Sequence, residues 1–255
     1  MADERAVTTV LKVGGAQLQG AAQLRRLSAY VARARGAGQA VVLVHGGGPE
    51  IGELHRQLAL PFRKRRGLRV TPEGSMPLVT MVLCGLVNKR IVARLVSDGL
   101  PALGLCGVDR GALRAEFLNR KVLGRVGGPP RVDRARFAEL LRAGQVIVLA
   151  PVCLGSDGEP VNVNADTVAH AVAAALAAAR LEFVSDVAGI RTPQRGIADR
   201  LSAAEARQLL GSEAVTGGMI PKLQAALAAL DTGIDRVRVG DLPGMMNDTA
   251  TEITA

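Results

Sequence analysis

Two glycine-rich segments combine residue types that can hold a phosphate group. The first, Lys12–Gly15, is Lys-Val-Gly-Gly, and the second, His45–Pro49, is His-Gly-Gly-Gly-Pro. Glycines let backbone N–H groups approach an anion closely, and the amino end of a following helix also favours negative charge. Each segment alone is as typical of a tight turn as of an anion site. The presence of both, one of them with a lysine, favours phosphate.

Two later segments carry polar residues at predicted helix starts. Asn162–Thr167 is Asn-Val-Asn-Ala-Asp-Thr, and Gly217–Lys222 is Gly-Gly-Met-Ile-Pro-Lys. One Asn or Asp at such a position is explained as a helix cap. The three in the first segment exceed that need and indicate a binding role. Lys222, in the second segment, is either a surface lysine or a cation directed at the same site.

Familiar nucleotide and metal motifs are missing from the sequence. There is no Gly-x-x-x-x-Gly-Lys-Ser/Thr loop, and no Gly-x-Gly-x-x-Gly segment follows a strand with an acidic residue about 20 positions later. A nicotinamide-dependent reductase is therefore disfavoured, and a nucleotide must be held in another way. The cysteines, Cys84, Cys106 and Cys153, are scattered, which predicts reduced thiols, with Cys84 and Cys106 as small core residues, and no metal site.

The histidines are not predicted to be catalytic. His55 and His170 fall within helical patterns and are interpreted as structural residues. His45 lies at a strand end beside the glycines. We interpret it as support for that turn and not as a base.

Apolar runs and helical patterns alternate along the chain. Apolar runs rich in β-branched residues predict buried strands, and apolar residues at helical spacing predict helices. The predicted strands are 7–13, 40–45, 101–106, 145–150, 181–185 and, closing the order, 236–239, with a β-hairpin within 112–132. The predicted helices are 20–35, 49–58, 75–97, 133–143, 166–179, 202–210 and 219–231. This order predicts a mostly parallel sheet covered on both faces, with ligands beyond the carboxyl ends of its strands.

The chain is strongly basic, with a formal net charge of +9. This charge suits either nucleic acid or small anionic substrates. Aromatic residues, which stack on bases, make up only 2% of the chain, so small anions are favoured over nucleic acid. The densest basic run, 63–66, is interpreted as a solvated loop beside an anion-binding cleft.

The N-terminus and the apolar runs predict a cytoplasmic protein without membrane contact. Positions 1–6 lack a secretory pattern. No stretch is expected to be long and apolar enough to cross a bilayer, and 167–179, the richest, has the length of a buried helix.

Seven motifs occur in the order typical of one enzyme family. They are Lys12 with Gly14-Gly15, HGGGPE (45–50), GLRVT (67–71), MVLCGLVNK (81–89), NVNADT (162–167), SDVAGI (185–190) and GGMIPK (217–222). In these motifs the chain resembles the N-acetylglutamate kinases of the amino acid kinase family. The resemblance implies an α/β fold, a three-layer α/β/α sandwich of the carbamate kinase type with a mostly parallel central sheet. It also implies an acyl-amino-acid lobe that dimerises, 1–160, and an ATP lobe, 161–255, on one continuous sheet.

The resemblance further implies that the protein uses ATP and Mg²⁺ to phosphorylate the side-chain carboxylate of N-acetyl-L-glutamate in arginine biosynthesis. It also implies a homodimer. Lys12 and Lys222 resemble the lysines that flank the transferred phosphoryl group, and Asp166 resembles the carboxylate that orients both. Gly15 and Gly47 resemble the backbone donors to that group. The implied substrate contacts are Gly47, Gly48, Arg69 and Asn162. The implied nucleotide contacts are Asp186, Val187, Gly189, Thr216 and Gly218.

Alternatives to this function stay open. The substrate could be aminoadipate or glutamate attached to a small acidic carrier protein, which the basic run 63–66 would suit, or it could be N-succinylglutamate. A non-catalytic amino acid sensor is disfavoured, because Lys12, Lys222 and Asp166 are all present. Arginine-inhibited members of the family have an extra N-terminal helix. Because few residues precede the first predicted strand, we expect a dimer without arginine feedback.

Overall fold

The apolar, β-branched runs form the strands that they predict. A computed structural model describes residues 7–65, 67–192, 196–212 and 219–255. The strands are β1 Thr8–Val13, β2 Ala40–His45, β3 Lys64–Arg65, β4 Leu68–Arg69, β5 Ala102–Cys106, β6 Leu113–Ala115, β7 Arg131–Val132, β8 Val146–Ala150, β9 Val152–Gly155, β10 Pro160–Asn162, β11 Arg180–Val184, β12 Arg191–Thr192, β13 Gly196–Ile197, β14 Arg200–Ser202, β15 Arg236–Gly240 and β16 Thr251–Thr254.

Helices connect most of these strands. The α-helices are α1 Ala21–Gly36, α2 Gly48–Gln57, α3 Met76–Thr80, α4 Asn88–Ser97, α5 Arg120–Leu123, α6 Arg134–Arg142, α7 Ala165–Leu176, α8 Ala203–Leu210, α9 Met219–Asp231 and α10 Leu242–Met246. A π-helical segment, Met81–Val87, joins α3 to α4, and 3₁₀ turns occur at Gly15–Leu18, Glu73–Ser75 and Asp109–Gly111.

The central sheet has the strand order β14-β16-β15-β11-β1-β2-β8-β5. Its neighbouring strands are parallel except for β15 and β16. Every residue of β2 and β8 is buried, as expected of strands covered on both faces. The predicted mostly parallel α/β fold is confirmed. The division into lobes near residue 160 stays a prediction.

Alternate strand residues face two separate helical layers. Val10 and Val42 lie in an apolar core that includes side chains of α7 and α9. Leu11 and Leu43, one position further along each strand, lie in a second core with side chains of α1 and α4. The sheet is therefore the middle layer of an α/β/α sandwich.

One long helical stretch, Glu73–Ser97, contains α3, the π-helical segment and α4, and covers β5 and β8. By length and composition alone it is apolar enough to cross a membrane, so the expectation that no stretch reaches this limit was wrong. Its buried residues, among them Val79, Leu83, Val87 and Ile91, recur every four positions and belong to the second core. The stretch is thus a core helix of this fold.

Several elements were not predicted from the sequence. The region 112–132 does contain an antiparallel pair, β6 and β7, but α5 lies between the two strands, so it is not a simple hairpin. β6 also pairs with β9, which forms an unpredicted hairpin with β10. The prediction that 236–239 closes the order of elements was wrong, because β16 follows and inserts between β15 and β14.

Candidate active site

The carboxyl ends of parallel strands bring the two glycine turns together. Val13, the last residue of β1, pairs with His45 of β2 and with Val184 of β11. The N–H of Gly46 donates to the carbonyl of Val13 over 2.9 Å, and the N–H of Gly14 donates to that of Val184 over 3.3 Å. The turns that follow β1 and β2 therefore lie side by side.

Glycine is required in these turns because their backbones approach closely. A Cβ on Gly15 would lie 3.0 Å from the nitrogens of both Gly47 and Gly48, and 2.9 Å from Pro49 Cδ. A Cβ on Gly47 would lie 2.6 Å from Leu83 Cδ2. Gly15 and Gly48 each begin a helical turn, where N–H groups have no acceptor within the helix. We call the backbone of Gly15, Gly47 and Gly48 the glycine cradle; its N–H groups suit an anion.

Two lysines at this edge of the sheet are each paired with an aspartate. Lys12 Nζ lies 2.8 Å from Asp166 Oδ1, and Lys222 Nζ lies 3.0 Å from Asp186 Oδ1. The hydrogen bond from Lys222 lowers the pKa of Asp186, and the charge of Lys12 acts on it in the same direction. Asp166 was expected to orient both lysines. In the structure Lys222 instead pairs with Asp186, which follows β11, the neighbour of β1.

Arg69, on β4, has an unused hydrogen-bonding nitrogen. Its NH2 donates to the carbonyl of Gly48 over 3.1 Å, whereas its NH1 is buried without a hydrogen-bond partner among the described residues. The guanidinium lies over the ring of Phe62, 4.3 Å from the ring centroid. Burial lowers the pKa of Arg69 to about 10, so the group stays a cation at neutral pH. A carboxylate beside NH1 would satisfy both its charge and its hydrogen-bonding capacity.

The polar side chains of the Asn162–Thr167 segment make different contacts. Asn164 caps α7 by accepting the N–H of Asp166 over 2.7 Å. Asn162, at the end of β10, donates from Nδ2 to Thr71 Oγ1 over 3.0 Å. The cap therefore accounts for Asn164 alone, and the carboxylate of Asp166 is left to pair with Lys12.

Most of these residues line one cavity of about 350 Å³. Its lining includes the predicted site residues Lys12, Gly15, Gly47, Gly48, Arg69, Asn162 and Asp166. It also includes Lys64, whose basic run was expected beside an anion-binding cleft, and Leu83, to which the sequence analysis gave no role. The basic run 63–66 was a signal for Lys64. Leu83 had no such signal in the sequence, since a leucine at helical spacing indicates packing.

The predicted nucleotide contacts are only partly described. Asp186, Val187 and Gly189 follow β11 and are not among the residues that line this cavity. Gly189 is packed tightly, because a Cβ there would lie 2.6 Å from Thr251 Oγ1, which accepts the N–H of Ile190. Thr216 and Gly218 lie outside the described residues.

His45 and Asn88 hold the second glycine turn against the long helix. His45 Nδ1 lies 2.9 Å from the carbonyl of Gly46, which can only accept, so Nδ1 carries the proton. Nε2 then accepts from Asn88 Nδ2 over 3.2 Å, and Asn88 also donates to the carbonyl of Val148 over 2.9 Å. Burial lowers the pKa of His45 to about 4, so the ring is neutral at pH 7. These contacts agree with the interpretation of His45 as turn support; the part of Asn88 was missed.

Comparison with known proteins shows which family has this sequence and arrangement. A family model described as the amino acid kinase family matches residues 7–241. The chain belongs to the amino acid kinase family. A curated relative named acetylglutamate kinase, from Chloroflexus aurantiacus, is 45% identical over 249 residues, which cover 96% of each chain.

Solved structures agree with this membership. The structure of smu.665 from Streptococcus mutans UA159 has a TM-score of 0.83 and 30% identity, over 97% of this chain and 98% of that one. Carbamate kinase from Giardia lamblia bound to AMP-PNP has a TM-score of 0.71 over 98% and 99% of the two chains, and at 15% identity it supports the fold alone. The chain is therefore an amino acid kinase family enzyme with the carbamate kinase type of fold.

Proposed function

We propose that the chain is an N-acetylglutamate kinase of arginine biosynthesis. It transfers the γ-phosphoryl group of ATP to the side-chain carboxylate of N-acetyl-L-glutamate. The name of the curated relative, which matches over nearly the whole chain, supports this acceptor. The observation that carries the proposal is a single cavity lined by Arg69, Lys12 and the glycine cradle.

An acyl-glutamate has two carboxylates, and the cavity offers each of them a different partner. Arg69 binds the α-carboxylate, since its planar guanidinium can form two parallel hydrogen bonds with the two oxygens. Asn162, which also lines the cavity, is the second side chain that contacts the substrate. The side-chain carboxylate then extends toward the glycine cradle, where the γ-phosphate of ATP is held.

The reaction needs positioning and positive charge more than it needs a base. A side-chain carboxylate is already ionised at neutral pH, so no proton has to be removed from the nucleophile. The obstacle is repulsion between two anions, and negative charge spreads over the phosphoryl oxygens in the transition state. Lys12, Lys222 and the N–H groups of Gly15 and Gly47 stabilise that charge. Asp166 and Asp186 hold the two ammonium groups in position.

The nucleotide is held beyond β11 and the start of α9. The proposed contacts are Asp186, Val187, Gly189, Thr216 and Gly218. Among the described residues, no group of three or more His, Cys, Asp or Glu side chains is arranged to hold a metal ion. Mg²⁺ binds mainly through substrate phosphates and water, so it fits this site as a partner of ATP that reduces the charge on the phosphates. A homodimer and a cytoplasmic location belong to the proposal.

One observation favours a second acceptor, N-succinylglutamate. Lys64 lines the cavity and adds a further cation to Lys12 and Arg69. A succinyl group carries a third carboxylate, which Lys64 could pair with.

The acceptor is tested by trapping the acyl phosphate with hydroxylamine. N-acetylglutamate, N-succinylglutamate, glutamate and aminoadipate are compared with ATP and Mg²⁺ present. The highest kcat/KM is expected for N-acetylglutamate. Preference for the succinyl compound would keep the mechanism and change the acceptor. No turnover with any free acceptor would contradict the proposal and direct the search to a carrier-bound substrate.

A further inference from the structure

The long helix runs antiparallel to β5 and covers it. Lys89 Nζ donates to the carbonyl of Gly104 over 3.3 Å, and a Cβ on Gly104 would lie 2.8 Å from that ammonium. Nδ2 of Asn88 donates to the carbonyl of Leu105, the next residue of β5, over 3.5 Å. These contacts fix the register between the helix and the strand.

That register places Cys84 opposite Cys106. Cys106 is two residues beyond Gly104 and so faces the same side of β5. Cys84 lies about one helical turn before Asn88, and in an antiparallel arrangement earlier helix residues face later strand residues. The two side chains therefore face each other in the second core, where the partly buried Cys84 packs against the cluster that contains Cys106.

The surroundings of the two sulfurs differ in a way that suits thiol oxidation. The sulfur of Cys106 accepts hydrogen bonds from Cys84 and from the backbone N–H groups of Val108 and Asp109, which lower the pKa of Cys106 against the effect of burial. The pKa of Cys84 is raised, because its thiol is the donor and is partly buried. We therefore assign Cys106 as the nucleophile, and the partly buried Cys84, which faces it, as the second thiol.

We propose that Cys84 and Cys106 form a reversible disulfide with hydrogen peroxide as the oxidant. The Cys106 thiolate attacks one peroxide oxygen, the O–O bond breaks, and sulfenic acid forms with loss of hydroxide. The Cys84 sulfur then attacks the Cys106 sulfur, the S–O bond breaks, and the second hydroxyl leaves with the Cys84 proton as water. Two thiols are oxidised by two electrons and one peroxide is reduced to water. A dithiol reductant reverses the reaction.

This dithiol pair is distinct from the phosphoryl site but adjoins it. Leu83, the residue before Cys84, lines the cavity and faces Gly47 of the glycine cradle. The inference rests on the packing of the helix against β5 and is independent of the proposed substrate.

The test is peptide mapping of the full chain after treatment with a small excess of hydrogen peroxide. Remaining thiols are alkylated under denaturing conditions. One alkylated cysteine, Cys153, is expected instead of three, together with a peptide pair joined through Cys84 and Cys106 that dithiothreitol separates. Three alkylated thiols, a bridge to Cys153, a bridge between two chains, or Cys106 sulfinic acid without a bridge would overturn the proposal.

Two variants sharpen the result. Cys153→Ala is the matched control and is expected to form the same bridged peptide pair. Cys84→Ser removes the second thiol, so Cys106 is expected to accumulate as sulfenic acid that reacts with dimedone. A Cys84→Ser protein whose Cys106 gives no dimedone adduct after peroxide would contradict the assignment of Cys106 as the nucleophile.

Discussion

Lys222 and Asp186 form an ion pair of 3.0 Å between the first turns of α9 and the segment that follows β11. The lysine side chain is 24% exposed and the aspartate 75% exposed, so the ammonium is the more enclosed partner. Lys12, on the adjacent strand β1, and Asp166, in the first turn of α7, form a second such pair. Each cation of the proposed phosphoryl site therefore has its own carboxylate to orient it. The Lys12–Asp166 pair joins the two proposed lobes, whereas the Lys222–Asp186 pair lies within the proposed ATP lobe.

Lys222→Ala tests the transition-state role of the second cation. We expect kcat to fall about a hundredfold or more, the magnitude typical of a lost oxyanion donor, while the KM for N-acetylglutamate changes little. Lys121→Ala, at an exposed lysine, is the matched control and should leave both constants unchanged. Steady-state kinetics distinguish the outcomes. A large rise in KM with kcat preserved would remove Lys222 from the transition-state role.

Gly15→Ala tests the glycine cradle. Its Cβ would come within 3.0 Å of two backbone nitrogens, so the turn must shift. Because a displacement of about 1 Å can reduce a rate about a hundredfold, we expect a loss of kcat/KM of that size with the fold retained by circular dichroism. Gly14→Ala is the control, since its Cβ would meet only the carbonyl of Val184 at 3.7 Å. Equal activity of the two variants would argue against the cradle.

Arg69→Lys and Phe62→Leu together test substrate positioning. Loss of the guanidinium fork should raise the KM for N-acetylglutamate about tenfold to a hundredfold, as for a charged hydrogen bond, with a smaller effect on kcat. Phe62→Leu removes only the ring under Arg69, so we expect the KM to rise about two- to fivefold. Phe62→Tyr, which keeps a ring, should restore the wild-type KM. An unchanged KM in Arg69→Lys would exclude Arg69 as the carboxylate partner.

Asp157 gives the fold a contribution to stability that depends on pH. Its hydrogen bonds with the buried Arg125 lower the pKa of Asp157 to about 2, from an ordinary value of 3.8. A carboxyl group whose pKa is lower in the folded than in the unfolded protein stabilises the folded state at pH values above its unfolded-state pKa. This stabilisation is lost as the pH falls through its folded-state pKa. Denaturant midpoints of wild type and Asp157→Asn should therefore differ most above pH 4 and converge near pH 2. A difference that stays constant with pH would contradict this assignment.

The sequence predicted the elements whose patterns are unambiguous. β2 was placed at 40–45 and α9 at 219–231, as in the structure, because the first is an unbroken apolar run and the second has clear helical spacing. β16 was missed because Thr251–Thr254 is short and has one apolar residue, Ile253, and its place in the sheet is set by pairing with β15 and β14. The apolar length of the 73–97 helix was underestimated because a glycine and a proline interrupt its start.

The sequence predicted those site residues that belong to motifs with a recognisable chemical purpose. Glycines with a strand-end lysine indicated an anion site, and Gly15, Gly47 and Lys12 indeed line one cavity. Contacts between distant segments left no local signal. Three such contacts depend on how the chain is folded in space. They are the stacking of Phe62 on Arg69, the hydrogen bond between Asn88 and His45, and the ion pair of Lys222 with Asp186.

Oxygen-isotope transfer follows the proposed nucleophile directly. N-acetylglutamate labelled with ¹⁸O in both side-chain carboxylate oxygens is incubated with unlabelled ATP and Mg²⁺, and hydroxylamine traps the product. If the carboxylate attacks the γ-phosphorus, the bridging oxygen leaves with phosphate, and every phosphate released by hydroxylamine should carry one ¹⁸O. Unlabelled phosphate, formed by hydrolysis of ATP without transfer, would contradict the proposed reaction.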